Sequence, residues 1–178
     1  MSVVFPDWSP YRDLDAAARA YLRDPDFALD SLNGALRGAE VLAFTLERFV
    51  NEYNGVWQEV VVCDGQRLLL WHGEDTPPGE GPAGSMISSL RVVPLSAITE
   101  VGCRRRISRL ASGAVRVDAV DVYALLSSLD EAAPGETAGV RHDALRFGKT
   151  LEDGGTGQIT RLEEFALLVA SLVGRPLL

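Results

Sequence analysis

The sequence predicts an α+β protein in which seven antiparallel strands are closed by one C-terminal amphipathic helix and preceded by an N-terminal helical hairpin. Three observations predict this class. The last segment carries an apolar stripe at helical spacing, the middle of the chain carries a hairpin turn between two apolar runs, and strands follow one another without alternating helices.

The predicted closing helix runs from Thr160 to Gly174. Thr160 and Glu163 have the spacing of a capping box, and Gly174 suits a left-handed residue after the last turn. Glycine-rich residues 152–157 read as a loop before it. One face of the helix is apolar: Leu162, Phe165, Ala166, Val169, Leu172 and Val173. This face predicts that the helix covers an apolar sheet.

The N-terminal part predicts an aromatic arm and two short helices. Helical spacing predicts helices over Asp13–Leu22 and Asp26–Arg37, with Asp24-Pro25 starting the second. The arm contains Phe5, Trp8 and Tyr11. We expect it to pack on the domain because exposed aromatic residues are costly, with contact to a partner or a second subunit as the alternative.

Apolar alternation predicts the strands. Glu40–Val50 fits either a strand or a helix, and we choose a strand because Gly38 ends the preceding helix. Asp64-Gly65 predicts a type I′ hairpin turn. A change in apolar phase predicts a bulge near Asp118–Val120. The other predicted strands are Trp57–Cys63, Gln66–His72, Met86–Val93, Ala97–Ile107, Ala114–Ser128 and His142–Leu151.

Composition excludes several classes of function. The chain has 178 residues, 47% of them hydrophobic, and a net charge of −8. This composition predicts a globular protein, and the distribution of apolar residues predicts no transmembrane helix and no signal peptide. An acidic surface repels nucleic acids and anionic lipids. Two isolated cysteines, Cys63 and Cys103, predict free thiols and a cytoplasmic protein.

The order of elements resembles a bacterial pleckstrin-homology (PH)-like barrel. Residues 57–72 resemble its paired early strands, and residues 93–101, VPLSAITEV, resemble its segment where the chain enters a strand. The leading helices resemble a group of uncharacterised actinobacterial cytoplasmic proteins. The resemblance implies an N-terminal region over 1–39, a barrel over 40–178 plugged by its last helix, and no catalytic residues. Eukaryotic relatives bind phosphoinositides, peptides or proteins.

One basic cluster is the candidate partner-binding site: Arg104, Arg105, Arg106 and Arg109. On a strand, Arg104 and Arg106 share one face and Arg105 lies on the other. Arginines bind carboxylates and phosphates through two parallel hydrogen bonds, although many surface arginines serve solvation alone. The loop 51–56, NEYNGV, lacks the cations that phosphoinositide binding by the usual PH mode requires.

The sequence predicts no cofactor and no metal site. His72 and His142 are its only histidines, and a metal needs three or four converging ligands. We therefore predict a non-enzymatic binding or adaptor module that recognises a protein or peptide. One alternative is an enzyme that uses Asp118, Asp121 and His142. Another alternative is a structural protein that associates with itself, for example as a homodimer. Loops 51–56, 73–84 and 130–140 are further candidate functional regions.

Overall fold

The computed structural model describes residues 5–129 and 140–174, and the protein is α+β. Seven strands form two antiparallel sheets, with order β1-β2-β3-β4 in the first and β5-β6-β7 in the second. The chain divides into two compact units, Met1–Val93 and Pro94–Leu178. The first unit joins the N-terminal helices to the first four strands, whereas the sequence placed a division between residues 39 and 40.

Two helices open the first unit, close to their predicted bounds. Helix α1 spans Leu14–Tyr21, and the Asp13 carboxylate caps it by accepting the Ala16 N–H at 2.9 Å. Helix α2 spans Pro25–Leu36 and starts with its proline, as predicted. It ends where Arg37 and then Gly38 adopt positive φ angles, which stop helical hydrogen bonding.

The first sheet is a meander whose strands are β1 (Ala43–Val50), β2 (Val56–Cys63), β3 (Arg67–Asp75) and β4 (Met86–Pro94). The ambiguous segment is therefore a strand. The hairpin at Asp64-Gly65 is confirmed, but the prediction that its turn is of type I′ is wrong. Gly65 has a positive φ and Asp64 does not. The Asp64 carboxylate instead accepts the N–H groups of Gln66 and Arg67.

The core of the first unit lies between the helices and one face of its sheet. Trp8 is fully buried there, and its indole N–H donates to the Leu46 carbonyl at 3.1 Å. The Phe44 ring lies 5.7 Å from that of Trp8. The aromatic arm therefore packs on the domain, as predicted, while Tyr11 stays exposed.

The second unit begins with a 3-10 turn at Leu95–Ala97 and contains β5 (Ile98–Arg109), β6 (Val115–Leu129) and β7 (Val140–Thr150). The predicted bulge is confirmed. Arg106 pairs with Ala119 and Ile107 pairs with Val117, so Asp118 is an extra residue in β6. The bulge explains the change of apolar phase along this strand.

Helix α3 spans Gly155–Val173 and packs on the second sheet. Its start was predicted wrongly. The helix begins five residues before Thr160, whose hydroxyl donates to the Thr156 carbonyl within the helix, so the capping box does not form. Gly174 has a φ of −81° and is not left-handed. The apolar face is confirmed at four positions that are buried: Leu162, Phe165, Ala166 and Val169.

The coarse fold prediction is thus confirmed as seven antiparallel strands followed by a helix that covers a sheet. Among the described residues, no hydrogen-bonded pairing joins the two sheets into a closed barrel. The PH-like barrel stays a prediction.

Candidate functional site

Two loops that the sequence singled out line one cleft in the first unit. In an antiparallel meander, the first and third connections lie at the same end of the sheet. These are residues 51–55 and 76–85, and with Arg23, Asp24 and Asp75 they enclose a cleft of about 520 Å³. The third candidate loop, 130–140, lies outside the described residues except for the backbone of Val140.

Hydrogen bonds shape both loops. The Asn51 side-chain carbonyl accepts the N–H groups of Tyr53 and Gly55 at 3.0 and 2.8 Å. In the longer loop, Gly79 and Gly84 have positive φ angles at the third position of two turns. The Thr76 N–H donates to Ser85 and closes the loop. The cleft walls are therefore built from specific turns.

A side-chain network fixes the base of this cleft. Both terminal nitrogens of Arg23 donate to the Asp75 carboxylate, one of them at 2.8 Å. The same carboxylate accepts the Val56 N–H at 2.8 Å. Gln58, fully buried, bonds the backbone N–H and carbonyl of Arg23. The guanidinium of Arg23, followed by the Val56 N–H, lowers the pKa of Asp75 against the opposing effect of burial.

This network limits what the cleft can do. Arg23 and Asp75 neutralise each other, and Asp24 also contacts the Arg23 guanidinium at 3.0 Å. The cleft therefore presents no unbalanced cation to an anionic ligand. Its Asn, Tyr, Ser and Pro side chains suit neutral polar groups.

The predicted arginine cluster lies on the hairpin formed by β5 and β6. We call residues 104–116 the arginine hairpin; they contain five arginines and no acidic residue. Strand β5 is an edge of its sheet. All five residues from Cys103 to Ile107 are exposed, whereas burial alternates along the facing part of β6. Side chains on both faces of this edge thus reach solvent.

The arginines divide between the two faces as predicted. Arg104 points to the outer face and lies 3.3 Å from the Asp121 carboxylate, with 83% of its side chain exposed. Arg105 points to the α3 side and forms an ion pair with Glu163 at 2.5 Å. Arg109 donates to the Gly113 carbonyl at 3.1 Å within the hairpin turn. The cluster therefore presents arginine side chains on both faces of β5.

Apolar side chains accompany the arginines. Ile107 and Val115 lie on the same face of the hairpin as Arg105 and Arg109, and they are 55% and 58% exposed. Leu110, in the turn, is also exposed. Exposed apolar residues that are grouped and rimmed by charge are typical of interaction sites.

A second, smaller concavity of about 310 Å³ lies beside this cluster on the second sheet. Its wall includes Arg104 and Asp121 from the neighbouring strands β5 and β6. Tyr123 and Arg146, paired across β6 and β7, form the other side. The Tyr123 hydroxyl donates to Glu100 at 2.8 Å, which fixes the ring over the sheet.

The residues proposed for an enzyme do not form an acid–base pair. The bulge brings Asp118 and Asp121 to one face, but each contacts its own arginine: Arg116 at 2.6 Å for Asp118 and Arg104 for Asp121. The side chain of His142 lies outside the described residues. His72 lies 3.5 Å from Glu74 and against the Trp57 ring. The described residues contain no group that could hold a metal.

Arg146 and the cleft network were not predicted from the sequence. Arg146 occupies the outward position between Leu145 and Phe147 on β7, so strand alternation could have found it. Arg23, Gln58 and Asp75 come from three distant segments, and no local pattern relates them.

None of the described helices is both long and apolar enough to cross a bilayer. Comparison of the chain with protein-family models, with curated proteins and with solved structures finds no match.

Proposed function

We propose that this chain is a non-enzymatic binding module that takes an acidic, extended segment of a protein partner along the edge of β5. The observation that carries this proposal is the run of five exposed residues, Cys103–Ile107, on an edge strand rich in arginine. An edge strand offers unpaired N–H and carbonyl groups that an extended peptide can pair with.

Charge supports an acidic partner. The whole chain has a net charge of −8, yet the arginine hairpin carries only positive charges. Such a local cationic strip attracts an acidic segment and orients it, while the rest of the surface repels polyanions such as nucleic acids. The proposed partner is therefore a protein segment rather than DNA or RNA.

The exposed apolar residues support a segment of mixed character. A strand added beside β5 places its side chains alternately on the two faces of the sheet. On the outer face they meet Arg104 and Arg106, and on the other face they meet Ile107 beside Arg105 and Arg109. The matching segment has acidic residues at the positions that face Arg104 and Arg106. At the alternate positions, which face Ile107, Arg105 and Arg109, it has apolar or acidic residues.

The experiment uses a fluorescein-labelled peptide with alternating Glu and Val residues and measures fluorescence anisotropy. We expect binding that weakens at least tenfold in the double variant Arg104→Ala/Arg106→Ala, because charge-assisted contacts contribute most of the discrimination. Arg19→Ala on α1 is the control, since it also removes an exposed arginine and should leave binding unchanged.

Two further probes test the mode of binding. The same peptide with N-methylated backbone nitrogens cannot donate to β5 and should bind much more weakly. A single-stranded oligonucleotide of equal charge should compete poorly. Tighter binding of the oligonucleotide, or equal binding of the peptide to wild type and double variant, would refute the proposal.

The same edge bears on self-association. Antiparallel pairing of two copies through β5 would bring their arginines close together, which costs free energy. We therefore place the edge strand in contact with a different, acidic partner and expect the protein to sediment as a monomer.

The PH-like family and a cytoplasmic location belong to this same proposal. Seven antiparallel strands followed by a covering helix support the family, and the absence of cations at 51–56 supports a ligand other than a phosphoinositide.

A further inference from the structure

The geometry points to a subsite for a carboxylate of the bound segment, in the concavity between Arg104 and Arg146 on the outer face of the second sheet. This inference rests on the proposed function and names the anchoring contact within it. Arg146 lies outside the arginine hairpin and was not among the predicted binding residues.

The pairing register places these residues in two rows across the sheet. Arg104, Asp121 and Gly148 form one row, and Gly102, Tyr123 and Arg146 form the next. Strands in a sheet are about 4.8 Å apart and the two rows are two residues, about 7 Å, apart along the strands, so the Cα atoms of the two arginines lie about 12 Å apart across β6. Long guanidinium side chains can converge on one anion from these positions.

Two glycines shape the subsite, Gly102 by admitting the Tyr123 ring and Gly148 by leaving the floor open. A Cβ at Gly102 would lie 2.1 Å from the Tyr123 ring, so the ring covers that position and walls the concavity. A Cβ at Gly148 would lie 3.1 Å from the Asp121 carboxylate, so the absence of a side chain there opens its floor. The volume of about 310 Å³ is at the lower limit for small-molecule sites and suits one side chain or a small anion.

The charges favour an anion. Two cationic groups, Arg104 and Arg146, line the concavity together with one anionic group, Asp121. Asp121 contacts Arg104 at 3.3 Å, and within the described part of the chain no carboxylate contacts Arg146. The Asp121 carboxylate therefore competes with a carboxylate of the partner for the Arg104 guanidinium, and binding of the partner breaks the Arg104–Asp121 ion pair. Arg146 supplies a second guanidinium, with which Asp121 forms no ion pair.

This arrangement gives two variants with opposite expected effects on binding of the alternating Glu/Val peptide. Arg146→Gln should weaken the affinity about tenfold, because one charge-assisted contact is lost. Asp121→Asn should tighten it about threefold, because Arg104 loses its internal partner. Both residues are exposed, so neither change should alter folding. Arg19→Gln is the matched control and should have no effect.

The outcomes separate this inference from the proposed function. If Arg146→Gln and Asp121→Asn leave the affinity unchanged while Arg104→Ala/Arg106→Ala still weakens it at least tenfold, the subsite is wrong and the edge-strand mode stands. If the wild-type protein does not bind the peptide, the proposed function fails. The subsite is then decided by titration with inorganic phosphate, followed through the Nε–Hε NMR resonance of Arg146.

The phosphate titration also distinguishes the source of the anion. A shift of the Arg146 resonance with both phosphate and peptide supports a general oxyanion site. A shift with the peptide alone supports a carboxylate held by backbone pairing. No shift with either probe overturns the subsite.

Discussion

Truncation of Phe165 tests whether helix α3 is an integral part of the second unit. Its side chain is 2% exposed, and its ring packs edge-on against that of Phe147, with centroids 6.2 Å apart. Phe→Ala in a closed core costs about 3–5 kcal/mol through lost burial and a residual cavity. The aromatic pair contributes about 0.5–1.5 kcal/mol of this. We therefore expect Phe165→Ala to destabilise the unit by about 3–5 kcal/mol.

The assay must report on the correct unit. All three tryptophans, Trp8, Trp57 and Trp71, belong to Met1–Val93, so their fluorescence follows the first unit. Amide hydrogen exchange along α3 reports on the second unit directly. Exchange rates at the slowest α3 amides give the free energy of opening in wild type and variant.

A control lies on the opposite side of the same helix. Leu167 is 70% exposed, and Leu167→Ala should change stability by less than about 0.5 kcal/mol. A double-mutant cycle with Phe147→Ala should give a coupling of about 0.5–1.5 kcal/mol. A loss below about 1 kcal/mol for Phe165→Ala would show that α3 is peripheral, and the PH-like interpretation would be wrong.

Three further predictions concern single contacts. Asp75→Asn should lose less stability than wild type on acidification, measured by urea unfolding followed through tryptophan fluorescence. The lowered pKa of Asp75 means that its contribution is complete above the unfolded value of about 3.9 and is lost as pH falls through the folded pKa. Gly102→Ala should cost about 1–3 kcal/mol, seen by amide exchange in β5, because the new methyl group displaces the Tyr123 ring. A thiol reagent should modify exposed Cys103 in the folded protein and reach buried Cys63 only after denaturation.

Each of these predictions has a control or a refuting result. An equal loss of stability on acidification in wild type and Asp75→Asn would contradict the contribution of Asp75. Gly34→Ala, where an added Cβ meets no atom, should stabilise α2 by about 0.5–1 kcal/mol and contrast with Gly102→Ala. Equal labelling rates of the two thiols in the folded protein would contradict the burial of Cys63.

Local patterns predicted the elements because their causes are local. The apolar period placed α1, α2 and six of the seven strands close to their observed bounds, the break at Gly38 decided that β1 is a strand, and Pro25 marked the start of α2. The phase change at Asp118 identified a bulge because a single extra residue inverts the alternation of every residue after it. The same period placed Arg104 and Arg106 on one face of β5 and Arg105 on the other.

The predictions of turn type and helix cap were wrong where two local conformations compete. Asp64 can adopt a positive φ or use its carboxylate to bind neighbouring N–H groups, and the structure adopts the second solution. Thr160 can cap a helix or lie inside one. Packing of Gln158 and Ile159, both buried, extends α3 beyond that point to Gly155, because tertiary burial outweighs one cap.

The sequence by itself determined the α+β class, the strand count, the closing helix and the basic strip, since these depend on periodicity and composition. Only the tertiary structure decided the sites. Distant segments meet in the Arg23–Asp75 cleft and in the concavity of Arg104 and Arg146, and the register of strand pairing sets which side chains become neighbours across a sheet. Local periodicity places a side chain on one face of a strand, but it does not fix which side chains of the neighbouring strands lie beside it.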